Sequence, residues 1–99
     1  MSDIPSEFKC AGFTIKVSVE DLLPNDDYGT FCDATNEIKI AKTMTVDNKT
    51  IQLTEEQLLN TFYHELNHCF QFYFDNSYSE AQAQTFANFI CEYLRTKVN

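Results

Sequence analysis

His64-Glu65-Leu66-Asn67-His68 contains both histidines of the 99-residue chain. On an α-helix, residues four apart lie one turn above each other on the same face, so these two imidazoles can converge on one ion. Zinc accepts nitrogen ligands and tetrahedral geometry. A helical step of about 100° per residue places Glu65 beside such an ion, where its carboxylate can act as general base on a bound water.

The surrounding sequence predicts that this stretch is helical. Thr54-Glu55-Glu56-Gln57 is a capping-box pattern, with Thr54 as N-cap and Gln57 at the third helical position. Apolar residues then recur at helical spacing: Leu59, Phe62, Leu66, Phe70 and Tyr73. We therefore predict a helix over residues 55–74, and this context disfavours a chance occurrence of the short motif.

Upstream, short segments alternate apolar and polar residues, as half-buried strands do. They cover residues 13–19, 30–32 and 37–41, the last two joined by a turn at 33–36. Residues 20–23 indicate a short helical turn that Pro24 ends, and residues 25–29 a loop. Within 43–53, residues 47–49 indicate a turn, whereas 51–53 stay open between extended structure and a lead-in to the helix.

After a break at residues 75–78, Ser79 is predicted to cap a second helix, with Glu80 in its first turn. Its predicted apolar face contains Ala83, Phe86, Ala87, Ile90 and Leu94. The length allows one domain, residues 1–99, in which residues 1–12 are expected to be loosely ordered. The predicted fold class is α+β, a small antiparallel sheet of about three strands followed by two helices.

Charge and composition exclude several classes of protein. The formal net charge is −8 and the seven basic residues are scattered, which argues against a nucleic-acid partner. No apolar run approaches the ~18 residues of a membrane span, and the N-terminal residues lack the features of a signal peptide. The four cysteines, Cys10, Cys32, Cys69 and Cys91, form no C-x-x-C pair, so we expect reduced thiols in a cytoplasm.

A catalytic zinc ion usually has three protein ligands and one open position, and the chain has no further histidine. A carboxylate or a thiolate must therefore supply the third ligand. Asp75 lies about 10 Å beyond His68 along the same helix, and the Cys69 side chain projects about 100° away from that of His68. Glu92 lies about 18 Å beyond Glu80 along the second helix.

Glu80 is the preferred third ligand, because a short loop after the first helix can return it to the histidines. The alternative is an ordinary first-turn acid that the helix dipole stabilises. Gln84 lies one turn later on the same face, where it can form a hydrogen bond with a ligating histidine.

Two segments, TFYHELNH at 61–68 and EAQAQTFA at 80–87, resemble the minimal gluzincin metallopeptidases, and within them the small phage-encoded relatives of the ImmA/IrrE family. In that family the histidine motif is followed by a helix with the pattern E-x-x-A-N-x-F-A, whose glutamate is the third zinc ligand. Glu80, Ala83, Phe86 and Ala87 match it, while Gln84 replaces the usual Asn. The resemblance covers roughly residues 13–97 and implies limited proteolysis, such as cleavage of a repressor encoded on a mobile element.

The predicted function is that of a zinc-dependent peptidase acting on a protein or peptide substrate. His64, His68 and Glu80 would hold the Zn²⁺, and Glu65 would act as general base. Tyr63, Tyr73 and Tyr78 are unranked candidates for stabilising the oxyanion, and the strand at 37–41 is a candidate for pairing with an extended substrate.

Two alternatives remain. The first is a phage protein in the host cytoplasm that binds a host protein with little or no turnover. The second, a structural zinc site, is disfavoured because such sites normally have four protein ligands.

Overall fold

The computed structural model describes residues 3–98 and has a sheet-forming N-terminal part followed by two helices. The strands are β1 (Glu7–Cys10), β2 (Phe13–Glu20), β3 (Gly29–Cys32), β4 (Glu37–Ala41), β5 (Thr43–Val46) and β6 (Lys49–Gln52). The helices are α1 (Glu55–Phe70) and α2 (Glu80–Thr96). The predicted α+β class is confirmed.

The sheet differs from the predicted three-stranded antiparallel one. Its order is β1-β2-β4-β3, and a separate hairpin joins β5 and β6. The hairpin of β3 and β4 is antiparallel as predicted, but β4 pairs with β2 in parallel. After β2 the chain crosses to the far edge of the sheet and forms β3 there. β4 then returns antiparallel to β3 and fills the position between β3 and β2, where it runs parallel to β2.

The N-terminal segment is more ordered than expected. β1 pairs with β2 through a tight turn in which Ala11 and Gly12 both have positive φ. The expectation of a loosely ordered segment over residues 1–12 is therefore wrong for Glu7–Cys10, while Met1 and Ser2 lie outside the described residues.

Two turn predictions also need correction. Pro24 begins a single 3₁₀ turn, Pro24–Asp26, instead of ending a helix, because proline's fixed φ suits the first position of a turn. The β5–β6 turn consists of Asp47 and Asn48, both at positive φ, and Lys49 already belongs to β6.

Helix α1 begins at the predicted capping box. The Gln57 amide donates to Thr54 Oγ1 at 3.1 Å, and the Thr54 amide donates to Gln57 Oε1 at 2.8 Å. The α-helix ends at Phe70, earlier than predicted, and continues as one π-helical turn over Gln71–Asp75. Asn76, with a φ of 53°, then reverses the chain.

Helix α2 begins where predicted, and the Ser79 hydroxyl accepts a hydrogen bond from the Gln82 amide. Of its predicted apolar face, only Ala83 and Ala87 are fully buried. Phe86 and Ile90 are half-buried, and Leu94 is exposed. The sheet and α1 share one core, made of Ile15, Val17, Ile38, Ile40, Phe62 and Cys69. Among residues 3–98, neither helix combines the length and the apolar character that crossing a bilayer requires.

All four cysteines are free thiols. Cys69 is fully buried in the core, and this burial raises the pKa of its thiol to about 12. Cys69 is therefore a small core residue, whereas Cys91 is only half-buried.

Candidate metal centre

The structure brings the three predicted metal ligands together. His64 and His68 lie one turn apart on α1, with ring centroids 4.9 Å apart. Glu80 is the first residue of α2, and its Oε1 lies 2.7 Å from His64 Nε2 and 3.0 Å from His68 Nε2. Their donor atoms all lie within 4.8 Å of one another, so this cluster could hold a metal ion.

The competing ligand candidates point elsewhere. The Cys69 side chain is fully buried in the core, and Asp75 accepts a hydrogen bond from the Ser77 hydroxyl. Within residues 3–98, the group that could hold a metal consists of His64, His68 and Glu80 alone.

A glutamine faces the outer nitrogen of each ring. Gln84 Oε1 lies 2.8 Å from His64 Nδ1, which is the contact predicted from its position one turn after Glu80. Its Nε2 donates to Asn60 Oδ1 and Asn88 Oδ1, both at 2.9 Å, and in this arrangement its carbonyl end faces the histidine. The His64 Nδ1 therefore carries a proton and donates it to Gln84.

Gln71 makes the equivalent contact with His68. Its Oε1 lies 3.1 Å from His68 Nδ1 and also accepts a hydrogen bond from the Ser79 amide at 3.0 Å. A backbone amide can only donate, so this end of Gln71 is the carbonyl oxygen and His68 Nδ1 is the donor.

These contacts leave both Nε2 lone pairs directed at one carboxylate oxygen. If both Nε2 atoms were also protonated in order to donate to Glu80, the two rings would be imidazolium cations with their centroids 4.9 Å apart. A single divalent cation instead satisfies both nitrogens and the carboxylate, and imidazole with its other nitrogen hydrogen-bonded is the usual form of a metal ligand. The residues present therefore fit a metal ion.

Glu65 lies beside this cluster and is only 6% exposed. Its carboxylate accepts no hydrogen bond from any residue in the described part of the chain, although it lines the cavities on both sides of the cluster. Burial raises the pKa of Glu65, an effect that His64 and His68 partly offset. Gly29 of β3 lies close to the Glu65 side chain: a Cβ added to Gly29 would be only 3.3 Å from Glu65 Cγ.

The three tyrosine candidates are now separated. The Tyr78 ring stacks on His68 at 4.8 Å, and its hydroxyl donates to Glu80 Oε2 at 2.5 Å. This hydrogen bond is the main reason that the pKa of Tyr78 rises to about 12 and that of Glu80 falls to about 2. Tyr63 packs on Phe62, and Tyr73 donates to Asn36, so neither contacts the cluster.

A cleft extends on both sides of the cluster. One cavity of about 440 Å³ reaches toward Gln57 and Asn60, and another of about 400 Å³ reaches toward Phe31 and Phe72. Gly29 lines both, so β3 borders the whole cleft.

The position of β3 corrects one expectation about substrate binding. β4 (Glu37–Ala41) is paired on both sides and cannot accept another strand, whereas β3 is the edge strand of its sheet. The strand that borders the cleft is therefore also an edge strand of the sheet.

Sequence reasoning missed Gln71. The local signal was a polar side chain three residues after His68 and four after Asn67, on the inner side of a helix. Its contact with Ser79 depends on how the chain returns after the π-helical turn, which no local pattern predicts.

The chain matches no protein-family model, no curated protein and no solved structure.

Proposed function

We propose that the protein is a zinc-dependent peptidase of the gluzincin type. The observation that carries this proposal is the meeting of two Nε2 lone pairs with one carboxylate oxygen, next to Glu65, whose carboxylate accepts no hydrogen bond within residues 3–98 and faces the cleft. Histidine nitrogens with a single carboxylate are a ligand set that catalytic zinc sites use. Three protein ligands leave one position open for chemistry, whereas closed structural sites have four.

In this proposal His64, His68 and Glu80 hold the metal. Zinc bound there supplies Lewis acidity, which polarises a carbonyl and lowers the pKa of water toward about 7. Glu65 accepts the proton of the attacking water on its carboxylate and then delivers it to the leaving amine. The absence of a competing hydrogen bond to Glu65 within residues 3–98 supports this role, since both oxygens remain available.

Tyr78 is the proposed oxyanion donor. It is the one tyrosine of the three candidates that contacts the ligand cluster, and it is well exposed to the cleft. Its hydroxyl, which donates to Glu80 here, can rotate toward a substrate oxygen while the ring stays against His68.

The edge of β3 is the proposed binding site for the substrate backbone. An extended peptide that adds to this edge would run along the cleft and pass Glu65, with backbone hydrogen bonds supplying affinity. The cavities on either side of the cluster give room for side chains both before and after the cleaved bond. This arrangement supports a peptide substrate over a small molecule that would fill a single pocket.

The test is cleavage of a degenerate peptide library by the zinc-loaded protein, analysed by mass spectrometry. We expect discrete cleavage that a chelator abolishes. Glu65→Gln should bind zinc as tightly as the wild type and lose at least about 10²-fold in rate. Glu55→Gln, the same change at an exposed position in the first turn of α1, is the matched control and should retain most of the activity.

Two results would contradict the proposal. Cleavage that survives Glu65→Gln would remove Glu65 from its role. Stable capture of library peptides by zinc-loaded protein without any cleavage would favour the alternative of a binding protein with little or no turnover.

A further inference from the structure

One buried carboxamide connects the two ligand-bearing helices. Gln71 is 1% exposed, and every polar atom of its side chain has a partner. The two hydrogens on its Nε2 are shared among three acceptors within hydrogen-bond distance, Asn67 Oδ1 at 2.8 Å, the Ser79 carbonyl at 3.0 Å and Gln82 Oε1 at 2.8 Å. Such a fully satisfied buried group is costly to remove, because each former partner is left without its hydrogen bond.

The contacts with Ser79 fix the start of α2. Gln71 accepts from the Ser79 amide and donates to the Ser79 carbonyl, so both backbone groups of this N-cap residue are bound by one side chain. Glu80 is the next residue. The position of the third metal ligand therefore depends on a glutamine that follows α1.

The backbone of Gln71 also stabilises the connection. Its carbonyl accepts hydrogen bonds from the amides of Asn76 and Ser77, which close the π-helical turn. The side chain can reach both His68 and Ser79 because this wider turn ends α1 where the chain reverses.

We propose that Gln71 is a positioning residue that sets the proton of His68 on Nδ1 and, through Ser79, holds Glu80 within reach of the same metal ion. The inference rests on the proposed zinc site and extends it to a residue that would touch neither metal nor substrate. Its loss should displace two of the three ligands together.

Gln84 is a matched control within the same site. It faces His64 as Gln71 faces His68, but it is exposed and its other partners are the side chains of Asn60 and Asn88. It orients one ring without holding the backbone of another element.

The first experiment compares Gln71→Met with Gln84→Met in zinc affinity, by competition with a chromophoric chelator. Loss of a residue that orients a metal ligand typically costs about 10- to 100-fold in affinity. We expect Gln71→Met to lie near the upper end of this range and Gln84→Met near the lower end. Equal losses would overturn the proposal.

A double-mutant cycle isolates the part that acts through Glu80. In a Glu80→Ala background, the fold loss of zinc affinity caused by Gln71→Met should be smaller than in the wild type, since one displaced ligand is already absent. The same fold loss in both backgrounds would show that Gln71 does not act on Glu80.

A second readout needs neither metal nor substrate. Nitrogen NMR of the metal-free protein, recorded at a pH at which the imidazole rings are neutral, reports which ring nitrogen carries the proton. We expect Nδ1–H at His68 in the wild type and in Gln84→Met, and loss of that preference in Gln71→Met. If Gln71→Met does not fold, the spectrum of the wild type alone still tests the position of the proton on His68.

A wild-type His68 protonated on Nε2 alone would overturn the proposal whatever the protein binds. The peptidase function can be refuted independently of the role of Gln71. A protein that binds zinc and shows the expected Gln71 effects but cleaves no peptide would refute only the peptidase function. A protein that binds no zinc would refute the metal site, and the NMR result would still decide the role of Gln71 at His68.

Discussion

Helix α1 has two buried faces, one apolar and one polar, and burial places different requirements on each. The core face contributes Phe62 and Cys69 to the packing against the sheet, where Phe62 meets Phe8 edge-to-face at 6.2 Å. The adjoining face contributes Glu65 and His68, which are also buried but are polar.

The difference lies in what burial demands of each face. Apolar side chains need only complementary shape, and the favourable term is the removal of their surface from water. Buried polar groups need partners, and His68 has them in Gln71 and Glu80. Glu65 has no such partner within residues 3–98, and its carboxylate is open to the cleft instead.

The largest predicted effect concerns the core face. Phe62→Ala should lower the free energy of unfolding by about 3–5 kcal/mol, because it leaves a cavity that the sheet and α1 cannot close. Phe70→Ala, on the same helix but with its side chain 48% exposed, should cost about 1 kcal/mol or less. Urea denaturation of the metal-free proteins measures both. Similar losses for the two variants would refute the division of α1 into faces.

The next prediction concerns the site face. At a free zinc concentration of about 100 times Kd, zinc should raise the free energy of unfolding by about 2.7 kcal/mol. His64→Ala, His68→Ala and Glu80→Ala should each abolish most of this increment, and a chelator should reverse it in the wild type. Phe70→Ala should keep the full increment. An increment that survives Glu80→Ala would remove Glu80 from the ligand set.

Local patterns predicted the elements on which both faces depend. The capping box at Thr54 and Gln57 fixed the start of α1, and the spacing of His64 and His68 follows from helical geometry alone. The β3–β4 hairpin was also accessible, because its strands are close in sequence. In each case the residues that interact are a few positions apart.

The features that were missed depend on contacts between distant segments. The parallel pairing of β2 with β4 joins Lys16 to Glu37, and nothing in either segment specifies the partner. The turn predicted at residues 47–49 is present at Asp47 and Asn48, but its two positive φ values occur without a glycine, so the usual signal of a two-residue hairpin turn is absent. Gln71 was missed for the same reason as the sheet order, since its role appears only after α2 has returned.

A third prediction addresses the boundary between the sheet and the site face. A Cβ on Gly29 would lie 2.5 Å from Thr61 Cγ2, so Gly29→Ala should destabilise the protein by about 1–3 kcal/mol through overpacking. Thr61→Ser removes that methyl group, and the double variant should recover much of the stability. If Gly29→Ala alone were neutral, the close packing of β3 on α1 would be wrong.

The smallest predicted effect compares the two helix N-caps. Thr54 caps α1 far from the ligand cluster, whereas Ser79 caps α2 next to Glu80, and each side chain accepts a hydrogen bond from the amide three residues later. Thr54→Ala and Ser79→Ala should therefore each lower the free energy of unfolding by about 1 kcal/mol. Calorimetric zinc titration should separate them, because only Ser79→Ala loosens the residue that precedes a ligand.

Equal zinc affinity in the two cap variants, at equal loss of stability, would mean that Glu80 is held by its own contacts with the histidines and Tyr78. Weaker zinc binding in Ser79→Ala alone would mean that the start of α2 is part of the site. The Ser79 N-cap hydrogen bond would then contribute both to stability and to the position of a ligand, whereas on α1 these two contributions come from different faces.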